Sequence, residues 1–127
     1  MENKNAYKRI CVYCGSADNL DRIYTDAART LGGLLANRGI ELVYGAGKTG
    51  LMGAVADGVL EAGGKVIGVV PENLNQPQLI HASLTHLEIV SDIQLRKARM
   101  SQMADAFIAL PGGYGTLDEL FETLTWA

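Results

Sequence analysis

Long apolar runs are missing from this 127-residue sequence. Nothing approaches the ~20 consecutive apolar residues of a bilayer-spanning helix, so no membrane partner is expected. A basic excess is missing too. Eleven Lys and Arg against fourteen Asp and Glu leave a formal net charge of −3, and the cations are dispersed apart from Arg96-Lys97-Ala98-Arg99. That speaks against nucleic acid as a partner, since such domains carry a basic stripe. Met1 to Lys8 is polar and lacks the apolar segment of a secretory signal, which makes the cytoplasm the expected compartment. Cysteine is scarce: Cys11 and Cys14 form one Cys-x-x-Cys, with no second pair to complete a zinc site. Both lie in an apolar run, Ile10 to Cys14, that reads as a buried strand. Residues three apart on a strand point to opposite faces, so buried thiols are expected rather than a redox pair or a metal site. There is no internal repeat, low-complexity tract or linker.

What is present is a globular balance, 48 % apolar and 20 % charged, in a length that makes residues 1–127 one domain or most of one. Short apolar runs alternate with longer helical stretches. Strands are expected at Arg9 to Cys14, Ile40 to Tyr44, Lys65 to Val70, Leu84 to Val90 and Ala106 to Leu110. Helices are expected at Tyr24 to Asn37, with Ala27, Leu31, Leu34 and Leu35 apolar, at Leu51 to Glu61, at Asp92 to Ala104, and from Thr116 onward. Glu72 to Ser83, with Pro77 and several amides, reads as a loop or a broken short helix. Ile93, Met100 and Met103 fall on the expected inner side of the third helix. Such alternation, with continuous apolar strands, predicts an α/β fold whose parallel central sheet is covered on both faces. Trp126-Ala127 ends the chain inside an expected helix with no cap, glycine or proline, as in a fragment truncated at the C-terminus.

In an open parallel sheet the loops after the strands line one edge, where ligands bind at the switch point. Here those loops are Gly15-Ser16, Gly45-Ala46-Gly47-Lys48-Thr49-Gly50, Pro71-Glu72 and Pro111-Gly112-Gly113-Tyr114-Gly115-Thr116. Glycines let backbone N–H groups approach an anion, and a following helix N-terminus adds positive potential; two such loops suggest a phosphate-bearing ligand. Gly45 to Gly50 also matches G-x-G-x-x-G between a strand and a helix, with Glu72 about twenty residues on, where a ribose-binding acid belongs. An NAD(P)-dependent oxidoreductase is therefore a rival reading, although this fingerprint follows the second strand rather than the first. A phosphate-binding P-loop around Gly47-Lys48-Thr49 is rejected because Leu42 stands where it needs glycine. Thr116-x-x-Glu119 fits a capping box, a structural account of Glu119. Arg96 and Lys97 read from pattern alone as a solvated face shared with Arg99; functionally they would hold a phosphate or orient a carboxylate.

Pro111-Gly112-Gly113-Tyr114-Gly115-Thr116-Leu117-Asp118-Glu119, preceded by Arg96-Lys97, resembles the P-G-G-x-G-T-x-x-E signature of the Lonely Guy family. These are cytokinin riboside 5′-monophosphate phosphoribohydrolases, long labelled "possible lysine decarboxylase". Val12-Tyr13-Cys14-Gly15-Ser16, Tyr44-Gly45-Ala46-Gly47, Gly50-Leu51-Met52-Gly53 and Asp105 to Leu110 extend the likeness from about Lys8 to the last residue. The resemblance implies a three-layer modified Rossmann fold in a homodimer or higher homo-oligomer, hydrolysing the N-glycosidic bond of a nucleoside 5′-monophosphate to free base and ribose 5-phosphate without cofactor or metal. It places the catalytic pair on Arg96 and Glu119, and substrate contacts on Ser16, Gly45, Gln78, Arg96, Lys97, Gly112, Gly113, Tyr114, Gly115 and Thr116. The chain departs from the family at Ile93-Gln94-Leu95, where many members carry Met-His, and at Gln78 ahead of His81, where several carry Glu. Those differences bear on the preferred base more than on the reaction. Nothing suggests a pyridoxal phosphate site around Lys48 or Lys65. A nucleotide sensor without catalysis is the remaining alternative.

Overall fold

The computed structural model describes residues 7–17, 21–112 and 114–126. Five strands, β1 (Arg9–Tyr13), β2 (Glu41–Tyr44), β3 (Val66–Pro71), β4 (His86–Val90) and β5 (Ala106–Ala109), alternate with four helices, α1 (Arg22–Asn37), α2 (Gly50–Glu61), α3 (Ile93–Met103) and α4 (Tyr114–Trp126). The strands form one sheet in the order β4-β3-β2-β1-β5, parallel at every pairing. Arg9 lies beside Glu41 and Ile10 beside Ala106, so β1 is an interior strand flanked by the next strand in sequence and the last. A turn of 3-10 helix, Glu72–Leu74, opens the segment that the sequence marks as a loop or broken helix.

Strand alternation sorts the core into two layers. Val12, Cys14, Leu42, Tyr44 and Val66 point to the face covered by α1 and α2. Cys11, Tyr13, Val43, Ile67 and Val69 point to the other, where Met100 of α3 packs. The hydrogen bond between Tyr13 Oη and Thr123 Oγ1, 2.8 Å, brings α4 to that second face. Cys11 and Cys14 therefore occupy opposite layers, both buried and free, which removes the redox-pair reading for them. The sheet is not covered evenly. β1 to β3 are nearly all buried, whereas β4 and β5, at the edges, are half-exposed, so the continuous burial expected of every strand holds only for the central three.

The helices differ from expectation in which residues they bury. On α1 the inner positions are Ala28, Gly32 and Leu35, while Leu34 is exposed and Leu31 only partly buried. The cause is how closely α1 meets α2. A Cβ on Gly32 would stand 2.3 Å from the Val55 carbonyl oxygen, and one on Gly58 2.1 Å from that of Arg29. Backbones this near admit only glycine, and small residues rather than leucines mark the seam. Asp21 caps α1, accepting from the Ile23 N–H at 3.0 Å, and so starts the helix two residues before Tyr24. On α3, Met100 is buried as expected, but Ile93 is exposed at the helix start.

Candidate active site

The chain leaves β1 for β2 through α1 and returns from β4, on the far edge, to β5 on the other side of β1. The carboxyl ends of β1 and β5 therefore diverge into a crevice, the place where open α/β sheets bind ligands. Backbone hydrogen bonds tie its walls together: Leu110 N–H to Tyr13 O at 2.8 Å, Gly15 N–H to Pro111 O at 3.3 Å, and Met52 N–H to Gly15 O at 3.2 Å. A cavity of about 610 Å³ opens there, lined by Cys14, Gly15, Ser16, Arg96, Gly112 and Glu119 among others. A second, of about 270 Å³, lies beside it under Gly45, Gly47, Leu74, Gln78 and Ile80; Ser16, Met52 and Arg96 border both. Together they match the size of small-ligand sites.

Arg96 is 9 % exposed and Lys97 5 %, so the solvated-face reading fails for both. α3 crosses the sheet between edge strands β4 and β5, and its inner side must enter the second core layer. Arg96 Nε donates to Val69 O at 3.0 Å and Nη2 to Gly45 O at 2.5 Å. These bonds fasten the guanidinium to the ends of β3 and β2; of its five N–H donors, the others stay available to the cavities it borders. A Cβ on Gly45 would fall 2.1 Å from Arg96 Nη2. Glycine is required there for close approach, independent of any dinucleotide. Burial lowers the Arg96 pKa, and the nearby Glu119 charge works against that.

Lys97 turns the other way, toward α4. Its Nζ lies 2.8 Å from Asp118 Oδ2 and 2.5 Å from Glu122 Oε2. These partners raise the lysine pKa, the Asp118 hydrogen bond most. Arg99 does sit at the surface, paired with Glu88 at 2.7 Å.

α4 begins at Tyr114, not Thr116. Thr116 is then the third helical residue and Glu119 the sixth, which overturns the capping box: an N-cap hydroxyl must precede the helix. Thr116 is buried instead, and a Cβ on Gly112 would stand 2.1 Å from its Oγ1 and 2.9 Å from Gly15 N. Freed of a capping role, Glu119 faces the larger cavity and makes no hydrogen bond among the described residues. Burial pushes its pKa from 4.5 up to about 7; Arg96 and Lys97 pull it down, while Asp118 and Glu122 push it up. A carboxyl group whose pKa is moved to neutrality in a crevice, next to a buried guanidinium, is a recurrent feature of active sites.

Of the sequence-derived site residues, Ser16, Arg96, Lys97, Gly112, Thr116 and Glu119 meet around the larger cavity. Gly45 and Gln78 line the smaller one; Gln78 is exposed and its amide donates to Gln76 Oε1 at 2.6 Å. Tyr114 and Gly115 open α4, and Gly113 lies outside the described residues. Sequence reading missed Met52, shared by both cavities, and the acidic partners of Lys97, Asp118 and Glu122. The spacing of Asp118 and Glu122, four apart on one helical face, was the available signal. No group of three or more His, Cys, Asp or Glu among the described residues could hold a metal ion, and no described helix is long and apolar enough to cross a membrane.

Sheet order, and a crevice lined by both the buried Arg96 and the half-buried Glu119, define a doubly wound α/β protein with an ionisable switch-point site. More narrowly, the chain belongs to the family described as "Possible lysine decarboxylase", whose profile matches residues 52–127, and the Pro111 to Glu119 motif falls within that match. Among its relatives, a probable cytokinin riboside 5′-monophosphate phosphoribohydrolase of Oryza sativa subsp. japonica is 50 % identical over 124 residues, covering 98 % of this chain and 59 % of that one. A cytokinin riboside 5′-monophosphate phosphoribohydrolase of Arabidopsis thaliana is 48 % identical over 126 residues, covering 99 % and 58 %. The chain thus spans somewhat over half the length of these curated relatives. Among solved structures, the molybdenum cofactor carrier protein of Chlamydomonas reinhardtii superposes with a TM-score of 0.80 at 24 % identity, covering 94 % of this chain and 71 % of that one; it shares the fold.

Proposed function

We propose that the protein hydrolyses the N-glycosidic bond of a nucleoside 5′-monophosphate, a cytokinin riboside monophosphate or AMP, to free base and ribose 5-phosphate. The observation that carries this reading is the Glu119 carboxyl group, half-buried in the switch-point cavity with a pKa near 7 and Arg96 beside it. The activity named for its relatives supports it, as does the opening of α4 beside Gly112, where a helix N-terminus favours an anion.

In this reading the 5′-phosphate lies at the start of α4, against Gly112 to Thr116, and sets the sugar between Arg96 and Glu119. Cleavage passes through an oxocarbenium-like sugar, as in other glycoside hydrolysis. The electron pair of the C1′–N bond leaves with the base, which takes up a proton. Ionised Glu119 stabilises the positive sugar and accepts a proton from the water whose oxygen bonds to C1′. Arg96, held by two carbonyl groups, keeps Glu119 partly ionised despite its burial and presents its remaining N–H groups to substrate oxygens. The base then extends toward the smaller cavity, past Met52 to Gln78 and Ile80. We further propose that the protein works in the cytoplasm as a homodimer or higher homo-oligomer; light scattering on a sizing column tests the oligomeric state.

The deciding experiment incubates the full-length protein with AMP or a cytokinin riboside monophosphate and separates the products by chromatography. Free base and ribose 5-phosphate in equal amounts are expected. Intact nucleotide that binds without cleavage would replace the hydrolase by a sensor.

A further inference from the structure

The Lys97 ammonium group sits where it cannot serve the ligand freely. It is 5 % exposed, in the lining of the crevice, and two carboxylates of α4 already hold it: Asp118 at 2.8 Å and Glu122 at 2.5 Å. Of the two partners Glu122 is the more enclosed, its side chain 21 % exposed against 61 % for Asp118. Along α4, Asp118 precedes Glu119 by one residue and Glu122 follows it by three. The two ion pairs therefore lie on one helical face, one turn apart, and bracket Glu119 along the helix axis. Other links from α4 to the rest of the fold lie elsewhere: Thr116 against Gly112, and Thr123 on the Tyr13 hydroxyl at 2.8 Å. Lys97 is also adjacent in sequence to Arg96, which is pinned to Val69 and Gly45. One turn of α3 thus carries both the guanidinium that shares the larger cavity with Glu119 and the ammonium that holds the Glu119 helix.

We propose that Lys97 is a positioning residue and not a phosphate ligand: bridging Asp118 and Glu122, it locks the second and third turns of α4 onto α3 and fixes the Glu119 carboxyl relative to Arg96. The proposal rests on the hydrolase reading only in what Glu119 does to the substrate; the bridge itself is independent of it. Asp118 and Glu122 share Lys97 as their cation. Removing it leaves the more enclosed Glu122 unpaired, so α4 turns to hydrate it and carries Glu119 with it. A displacement near 1 Å at a reacting group costs on the order of 10²-fold in rate.

Lys97→Met, Lys97→Arg, Glu122→Gln and the Lys97→Met/Glu122→Gln double variant test this in the full-length protein. A positioning role predicts a kcat roughly ten- to hundredfold lower for Lys97→Met, a smaller fall in the same direction for Glu122→Gln, and a double variant no worse than Lys97→Met alone. KM for the nucleotide stays within about twofold, as expected when uniform ground-state binding is untouched, and Lys97→Arg recovers most of the rate. A KM raised tenfold or more by Lys97→Met, with Glu122→Gln silent, would make the lysine a phosphate ligand and overturn the proposal. Titration of the Glu119 carboxyl by carbon NMR, without substrate, reads the bridge apart from catalysis. Its midpoint should rise in Lys97→Met and fall in Glu122→Gln, following the signs of the charges removed. An unmoved midpoint in both variants refutes the bridge, even where the hydrolase reading stands. Shifted midpoints in a protein that releases no base refute the hydrolase reading and leave the bridge intact. Should Lys97→Met fail to fold, as circular dichroism would report, Glu122→Gln and Lys97→Arg carry both measurements.

Discussion

Replacing Glu119 by glutamine should make the protein more stable at pH 8 while nearly abolishing hydrolysis. The folded-state pKa of this carboxyl is raised from 4.5 to about 7, chiefly by burial. A raised carboxyl favours the folded state below its unfolded value, and that contribution is lost as pH climbs through the folded value. Across this window each pH unit is worth about 1.4 kcal/mol, so ionised Glu119 costs the folded protein up to about 3 kcal/mol at pH 8. Partial exposure of the group reduces the cost, and about 1–3 kcal/mol is the expected gain for Glu119→Gln at pH 8, falling to nothing near pH 4. Urea unfolding at a series of pH values measures the difference. Base release by the same variant should fall by about 10²–10³-fold, the scale of losing one well-placed electrostatic group. In the unmodified protein, activity should rise with pH through the neutral range, because the ionised carboxylate is the working form. A stability gap that does not change between pH 4 and pH 8 would refute the burial argument, and undiminished turnover would refute the catalytic one.

Gly45→Ala should cost about tenfold in kcat, since its Cβ would fall 2.1 Å from Arg96 Nη2 and must shift that end of the guanidinium from the Gly45 carbonyl; steady-state kinetics with thermal melts separates this from unfolding. Cys14 borders the larger cavity, yet burial, with the Glu119 charge adding to it, raises its pKa to about 12, so a thiol reagent at pH 8 should modify it far more slowly than a free peptide thiol. Labelling followed by mass spectrometry checks this, and rapid modification in the folded state would contradict it. Tyr13→Phe removes the hydroxyl that meets Thr123 Oγ1 at 2.8 Å and should destabilise by about 1 kcal/mol, seen as a lower urea midpoint at unchanged slope.

Much of this protein is determined by sequence periodicity alone. Apolar runs of four to six residues, rich in Val and Ile and bounded by turn-forming glycines and prolines, point to short buried strands. Stretches of eleven or more with apolar residues every three or four point to helices. That pattern placed every strand and helix, and the glycine loops after β1, β2 and β5 marked the edge where ligand chemistry gathers. The motif from Pro111 to Glu119, with Arg96-Lys97 upstream, named the residues that the fold brings together. Local pattern was misleading where close approach between distant segments decides the outcome. Gly32 and Gly58 draw α1 against α2 so tightly that Ala28, Gly32 and Leu35 become the inner face and Leu34 is left outside. Nothing in the α1 sequence by itself reports on Val55.

Only the tertiary structure decided where the charged residues sit and what they touch. Arg96 and Lys97 stand next to each other in sequence and look like a solvated pair, but α3 crosses the sheet and buries both, one toward carbonyl groups of β3 and the β2 loop, the other toward α4. Glu119 fits a capping box until the helix is seen to start at Tyr114, two residues before the supposed cap. Charge is a long-range property: its meaning depends on which carbonyls, carboxylates and apolar walls surround it, and those come from parts of the chain tens of residues away. Backbone geometry, by contrast, is set by neighbours within a few residues, which is why the sequence could specify the elements and the fold had to assign the chemistry.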